Sequence, residues 1–449
     1  FPGLFLLWHK SSNWATILAS LPSACIPITE LSLRPLCSIR LHNPPLLPTT
    51  PRSPRRCLVA FSQGWAANVA EGQNRASNAN DKKNDFKIKK NNSYNLDIAL
   101  AVIDSAINNK IFPGAQIFIS KEEDVIAHRG IGNYSYDKNS RKVDRASIYD
   151  IASITKVLSV TPIAMKLIDQ RKLSLEHTLE QYYPSLYGKP NGKITIKHLL
   201  THSSGLKPFI EFYKQDPNMQ KEQMLNNIFN SSLDSNPGDK QQYSDLGIII
   251  LMDIVEKVSH SSLDDLCERW VFDAIGMENT SYNPSDLIKD NIAPTEVDDY
   301  FRNRVLLGEV HDENAYLLNG VSGHAGIFSN SYDLAKYAQL FLNGGTWLGS
   351  RVLSYDKIQE FSERQELPPG SDRALGWDTP SRNGQSSAGD YFSEHSYGHL
   401  GFTGTSLWID QEKNIIVILL TNRVHPTREN GGMYTIRRKF HTEIMKAIL

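Results

Sequence analysis

The chain has 449 residues and a mass of 50.6 kDa, with 40% hydrophobic and 22% charged residues. Such a chain buries a large core, which excludes disorder throughout, and its 48 basic against 49 acidic residues exclude the positive excess of a dedicated nucleic-acid binder. Four cysteines exclude a disulfide scaffold, and no apolar run approaches the roughly 20 residues of a membrane helix.

The near-zero charge hides an asymmetry. Residues 1–95 hold 12 basic and 4 acidic residues, a net +8, and the remainder holds 36 and 45, a net −9. This first segment has closely spaced prolines (Pro44, Pro45, Pro48, Pro51, Pro54) and then an Asn- and Lys-rich tract from Glu71 to Asn95. Neither part shows helical or strand periodicity, and Glu30 is the one acid before Glu71, in the manner of a targeting segment. The chain begins at Phe1 and meets its first methionine at Met165. Residues 1–95 are therefore expected to be a disordered or non-native leader and polar linker, and 96–449 the folded domain.

From Leu96 the texture changes. Ile98, Val102, Ile103, Ala106 and Ile107 recur at helical spacing, so a helix opens the domain. Phe112-Pro113-Gly114 ends it. Ala115–Ser120 and Val125–Gly130 read as strands joined by the charged turn Lys121–Asp124. The middle of the chain reads as helical over Val157–Ile168, Ile196–Thr201, Leu246–Val258, Ser262–Ile275 and Tyr332–Leu342. Strands return at Thr405–Asp410 and Ile415–Leu420, and a helix from Tyr434 to Ile448 closes the chain. Strands at both ends with helices between them predict an α/β (α+β) fold. One antiparallel sheet is built from both chain ends, flanked by helices, with an inserted, mostly helical lobe. The cleft between the lobes is the expected site of chemistry.

Three clusters there carry chemistry. In Ser153-Ile154-Thr155-Lys156, Ser and Lys lie three apart on one helix face, their Cβ atoms roughly 5–6 Å apart. The apolar stripe that follows buries the helix, so Lys156 is expected to be partly desolvated, with a lowered pKa that lets it act as a base. Pro162 is expected to kink this helix. Tyr243-Ser244-Asp245 precedes the next long helix; Tyr243 can relay a proton near a lysine, or it is a core tyrosine beside Asp245 as a helix cap. Gly398-His399-Leu400-Gly401-Phe402-Thr403-Gly404 enters a strand; its glycines allow close backbone approach to a ligand, and His399 can donate a hydrogen bond or titrate near neutrality.

Ser-x-x-Lys by itself recurs by chance on solvated helices. The three clusters in this order carry more, and the chain resembles the serine β-lactamase-related family, which includes class C β-lactamases, D-alanyl-D-alanine carboxypeptidases and esterases. Phe112-Pro113-Gly114-Ala115, Ile194–Leu206, Ala293–Glu296, Val310-His311-Asp312, Gly320–Ser329 and Leu420–Arg423 extend the resemblance over residues 96–449, closest to a bacterial subgroup of D-Ala-D-Ala carboxypeptidases. The resemblance implies the β-lactamase/transpeptidase-like fold and an acyl-enzyme on Ser153. Lys156 would be its base and Tyr243 the proton relay. The backbone N–H groups of Ser153 and Phe402 would form the oxyanion hole. It implies substrate contacts at Asp245, His399, Gly401 and Phe402, a small peptide or ester substrate such as a peptidoglycan stem peptide, and a periplasmic or cell-surface location. Two positions depart from the pattern: Asp245 stands where many members have Asn, and His399 where many have the Lys that holds the substrate carboxylate. No cofactor or metal is expected; His311, Asp312 and His324 lack metal-ligand spacing, Cys267 lies on an amphipathic helix as a core residue, and Gly384–Ala388 lacks the last glycine of a nucleophile elbow.

Overall fold

The computed structural model describes residues 86–88 and 94–449, all within one compact unit, Asn80–Leu449. Most of the segment read as leader and linker lies outside the described residues. Its described tail contributes β1 (Lys87–Ile88), which the sequence did not announce and which pairs in parallel with Asp124–Val125.

α1 (Asp97–Asn108) buries Ala99, Val102, Ile103 and Ala106, the i, i+3, i+4, i+7 face of the helix. Ile98 falls off that face and is 66% exposed, against expectation. β2 (Gly114–Lys121) and β3 (Asp124–Gly132) form a hairpin. Its turn has two residues and not four: Glu122 and Glu123 both take positive φ, +53° and +70°, which a tight hairpin with right-handed strand twist requires. The C-terminal half supplies β4 (Tyr397–Leu400), β5 (Ser406–Asp410) and β6 (Ile415–Thr421), and α2 (Met433–Ile448) follows. Strand order is β1-β3-β2-β6-β5-β4, so both chain ends do build one sheet, with β6 antiparallel to β2 along its full length.

The strand period of two divides the core. Ile415, Val417 and Leu419 pack with Ile117, Ile119 and Trp408 against α1 and α2, while Ile416, Ile418 and Leu420 pack with Phe118, Leu407 and Ile409 against the helical lobe. β6 is buried on both faces, which explains its unbroken apolar run. The lobe is centred on the helix Asp245–Ser259, buried at every position from Leu246 to Val255.

The helix expected over Val157–Ile168 is two helices, Thr155–Leu158 and Val160–Asp169. The break falls at Ser159 (φ −113°, ψ −95°), three residues before Pro162, whose ring and missing N–H forbid the helical bond to the carbonyl of Leu158. The Ser159 hydroxyl donates to the carbonyl of Thr155 at 2.7 Å and closes the frayed turn. The segment expected as one helix over Ser262–Ile275 runs Leu263–Ile275 with a π-turn at Glu268–Phe272.

Candidate active site

Ser153 is reached through a constrained turn. Asp150 ends a short strand (Tyr149–Asp150), and its buried carboxylate accepts the N–H of Ala152 at 2.8 Å and that of His311 at 2.7 Å. Ala152 is held at φ +48°, a costly conformation for a residue with a Cβ. The 3₁₀ turn Ala152–Ile154 then leads into the helix carrying Lys156, leaving Ser153 half-buried at the surface of the cleft.

Lys156 is fully buried. Its Nζ lies 3.0 Å from Ser153 Oγ, 3.1 Å from the carbonyl of His324 and 2.7 Å from Asp245 Oδ1. The first two oxygens accept hydrogen bonds, and the third contact is an ion pair. Burial pulls the Lys156 pKa down, but Asp245 and Tyr243 more than offset it, and the pKa lies above the ordinary lysine value. The lowered pKa expected from the apolar helix is therefore corrected. That expectation counted desolvation and lacked the carboxylate that the fold brings alongside.

That carboxylate comes from Asp245, which does not cap its helix. Ser244 is the cap: its hydroxyl oxygen accepts from the N–H of Gly247 at 3.3 Å and its O–H donates to the carbonyl of Lys207 at 2.7 Å. Asp245 therefore opens the first turn facing Lys156. Tyr243 stands beside both, its ring centroid 4.9 Å from Lys156 Nζ, with its phenol in hydrogen-bonding reach of Ser153 and Lys156. Burial raises the pKa of Tyr243 and Lys156 opposes the rise, so the phenol keeps its proton at neutral pH.

His202 and Arg373, which the sequence reading did not single out, complete the wall. The His202 ring lies 4.3 Å from that of Tyr243, and its Nδ1 accepts the N–H of Ser244 at 3.2 Å. Arg373 lies 5.3 Å from the Tyr243 ring centroid and is ion-paired with Asp378. His202 follows the motif helix Ile196–Leu200, a position that could have drawn attention; Arg373 sits in an irregular stretch with no sequence signal.

The glycine-rich segment lies against the Ser153 turn. Thr403 Oγ1 donates to the carbonyl of Asp150 at 2.7 Å, and Thr405 Oγ1 to that of Ile151 at 3.0 Å. A Cβ on Gly401 would meet the Ile151 carbonyl oxygen at 2.4 Å, so only glycine lets the two loops approach this closely. The close approach expected toward a ligand is thus made to the protein itself. The loop's own hydrogen bonds, Gly401 N–H to Thr405 and Gly404 N–H to Gly401, leave the Phe402 N–H unused among the described residues, and Phe402 is 49% exposed. His399 is buried, and burial pulls its pKa to about 4. Its Nδ1 lies 2.8 Å from the carbonyl of Leu400, which only accepts, so the proton sits on Nδ1 and Nε2 is an acceptor. Titration near neutrality is corrected accordingly, and His399 carries no charge to offer a carboxylate.

The other histidines singled out have partners. His324 bridges Ser322 Oγ (2.7 Å) and Asp312 (2.8 Å); His311 pairs with Glu296 (2.8 Å). Cys267 is buried, which pushes its thiol pKa up. Among the described residues no three His, Cys, Asp or Glu side chains gather as a metal-ligand group, and no helix is long and apolar enough to cross a membrane.

A family model described as Beta-lactamase matches residues 101–441. The chain is 31% identical over 363 residues to the N-acetylmuramyl-L-alanine amidase of Bacillus subtilis (strain 168), covering 73% of this chain and 81% of that one. It is 31% identical over 356 residues to the "Putative D-alanyl-D-alanine carboxypeptidase" of Escherichia coli (strain K12), covering 70% and 79%. In fold it is similar to EstCE1, a hydrolase with promiscuous acyltransferase activity (TM-score 0.61, 20% identity, 77% of this chain and 97% of that one). It is also similar in fold to a penicillin-binding protein homolog from Caulobacter crescentus (TM-score 0.62, 13% identity, 78% and 96%).

Proposed function

The chain belongs to the Beta-lactamase family of serine hydrolases, and from that premise we propose that it hydrolyses an amide or ester through an acyl-enzyme on Ser153. The observation that carries this reading is the Ser153 Oγ–Lys156 Nζ hydrogen bond of 3.0 Å with the Tyr243 ring 4.9 Å from the same nitrogen. Ser153 Oγ attacks the substrate carbonyl carbon and loses its proton to Lys156 once that residue is an amine. The oxyanion is held by the N–H groups of Ser153 and Phe402. The leaving nitrogen or oxygen takes a proton through Tyr243 as its bond to carbon breaks, and water repeats the sequence to release the acid.

The relatives named as an amidase and a carboxypeptidase favour peptidoglycan stem peptides as substrate, cleaved in the manner of a D-Ala-D-Ala carboxypeptidase. His399 favours a second reading, a carboxylesterase, because no cation stands where the family resemblance puts the carboxylate-holding lysine. Intact-mass labelling with a fluorophosphonate and then a penicillin tests both, with Ser153→Ala as control. A Ser153-dependent fluorophosphonate adduct is expected; its absence from folded protein overturns the acyl-enzyme and leaves a cell-wall binding or sensor domain. Release of D-Ala from a muropeptide, compared with turnover of a short-chain nitrophenyl ester, separates carboxypeptidase from esterase.

A further inference from the structure

Two arginines converge on the loop that carries Phe402. Arg437, on α2, is buried; its Nη2 donates to the carbonyl of Gly401 and, at 2.9 Å, to that of Thr405. Arg423, just past β6, donates through Nε to the carbonyl of Phe402 at 2.8 Å and lays its guanidinium 4.3 Å from the Phe402 ring centroid. Its Nη1 is taken by the carbonyls of Arg428 and Asn430. Among the described residues no carboxylate is ion-paired with either. Burial, with the like charge of Arg423 added to it, pulls the Arg437 pKa to about 9. A buried guanidinium without a counter-ion is costly, and packing alone gives no reason for Arg437 beside this loop; Arg423 is half-buried and has Glu296 near enough to act on its charge.

The peptide plane supplies a reason. The Gly401 carbonyl and the Phe402 N–H belong to one peptide unit, which is trans. In a trans unit the two groups point in opposite directions. With the carbonyl turned to Arg437 inside the protein, the N–H is turned away from it, and no bond of the loop uses it. Thr403 and Thr405 fasten the same loop to the turn that bears Ser153. A donor on the carbonyl also polarises the unit and strengthens its N–H.

Building on the acyl-enzyme reading, we propose that Arg437 is a positioning residue for the oxyanion hole. It fixes and polarises the Gly401–Phe402 peptide so that the Phe402 N–H meets the negative charge formed when Ser153 attacks. Arg423 braces the following peptide unit through the Phe402 carbonyl.

The test uses the full chain and compares wild type, Arg437→Met, Arg437→Lys and Arg423→Met, each checked for folding by circular dichroism. The readouts are kcat and KM on a nitrophenyl butyrate ester and inhibition by phenylboronic acid, whose boron forms a bond to Ser153 Oγ and becomes tetrahedral like the intermediate. Arg437→Met is expected to lower kcat about 10- to 100-fold with KM within about twofold, and to weaken the boronic acid by the same factor as kcat. Arg437→Lys, which keeps a charged donor, recovers part of both. Folded Arg437→Met with unchanged kcat overturns the proposal. So does a variant in which KM and boronic acid affinity weaken equally while kcat holds. If Arg437→Met does not fold, Arg423→Met is read by the same quantities, with a smaller loss expected and an unchanged kcat again overturning it. Wild type that takes no Ser153-dependent fluorophosphonate adduct overturns the acyl-enzyme reading and this proposal with it. Wild type that is labelled beside an unaffected variant overturns this proposal alone.

Discussion

Asp245→Asn isolates the charge that sets the state of Lys156. The carboxylate oxygen lies 2.7 Å from a fully buried ammonium. At an effective dielectric near 20 that is about 6 kcal/mol of attraction. If two-thirds is lost to relaxation and entering water, about 2 kcal/mol remains, or about 1.5 pH units. The sign follows from the direction of the shift. A raised lysine pKa leaves little amine at neutral pH, so the wild-type rate climbs about tenfold per pH unit below that pKa. In Asp245→Asn the larger offset to burial is gone, and the climbing limb moves to lower pH by about 1.5 units. The plateau above it falls, because a lysine that parts with its proton more easily is also a weaker base. The assay is kcat/KM on a short-chain nitrophenyl ester from about pH 5 to about pH 10, with the rate of fluorophosphonate labelling followed in parallel. An unmoved limb, or one moved upward, refutes the electrostatic argument. Over that window the wild type should climb throughout and Asp245→Asn should bend toward a plateau; a variant profile that stays parallel to wild type and lower throughout would mean that Asp245 only holds Lys156 in place.

Other residues yield separate tests. His399→Lys restores a cation near the cleft and is expected to speed acylation by penicillin at least about tenfold, read by mass labelling over time; no gain would mean the carboxylate is not held from this position. Gly401→Ala puts a Cβ 2.4 Å from the Ile151 carbonyl oxygen and is expected to lower kcat/KM by about 100-fold or more while the fold survives, checked by turnover beside circular dichroism. Glu296 is raised by burial but pulled down to about 2 by His311 and Arg428, so its stabilising contribution is present above the ordinary 4.5 and is lost as pH falls toward 2. Urea unfolding across that window is expected to show a shallower loss of stability for Glu296→Gln than for wild type. Asp312→Ala removes both the helix cap on Ala315 and the partner of His324, and is expected to cost about 2–3 kcal/mol by the same unfolding measurement.

Local rules read well from this sequence wherever the chain itself supplied the partner. The alternation of Ile415 to Leu420 and the helical stripe of Ala99, Val102, Ile103 and Ala106 are periodicities of adjacent residues, and the elements lie where the pattern puts them. The Ser153 and Lys156 spacing is local in the same way. What the sequence did not yield depends on groups far along the chain. The charge on Lys156 is set by Asp245, some ninety positions on, and by the carbonyl of His324. Arg437 lies in the last helix and Arg423 after the last strand, and both bond a loop two strands earlier; no motif flagged Arg437, and Leu420–Arg423 marked a strand end without showing what Arg423 touches. His399 failed as a titrating group because spacing reveals neither its burial nor the Leu400 carbonyl that fixes its proton.

The charges around Ser153 favour one state of the reaction over the others. Opposite Lys156 stands a carboxylate, so the site stabilises an ammonium there and penalises the free amine that begins catalysis. Behind Phe402 stand two guanidiniums, Arg437 with no carboxylate acting on it and Arg423 without an ion pair among the described residues though Glu296 acts on its charge, so the site favours negative charge there. Attack by Ser153 creates both at once: its proton makes Lys156 an ammonium, and the electrons of the substrate carbonyl become the oxyanion. Under the acyl-enzyme reading, the fixed charges therefore complement the tetrahedral state and not the resting one, which is the condition for binding energy to appear in kcat. The Lys156–Asp245 pair is then retained for its chemistry, since a buried ion pair is seldom worth its desolvation in stability alone. The two variants should accordingly separate: Asp245→Asn moves the pH at which the enzyme works, and Arg437→Met lowers the rate below about pH 9, where Arg437 holds its charge, without moving the limb.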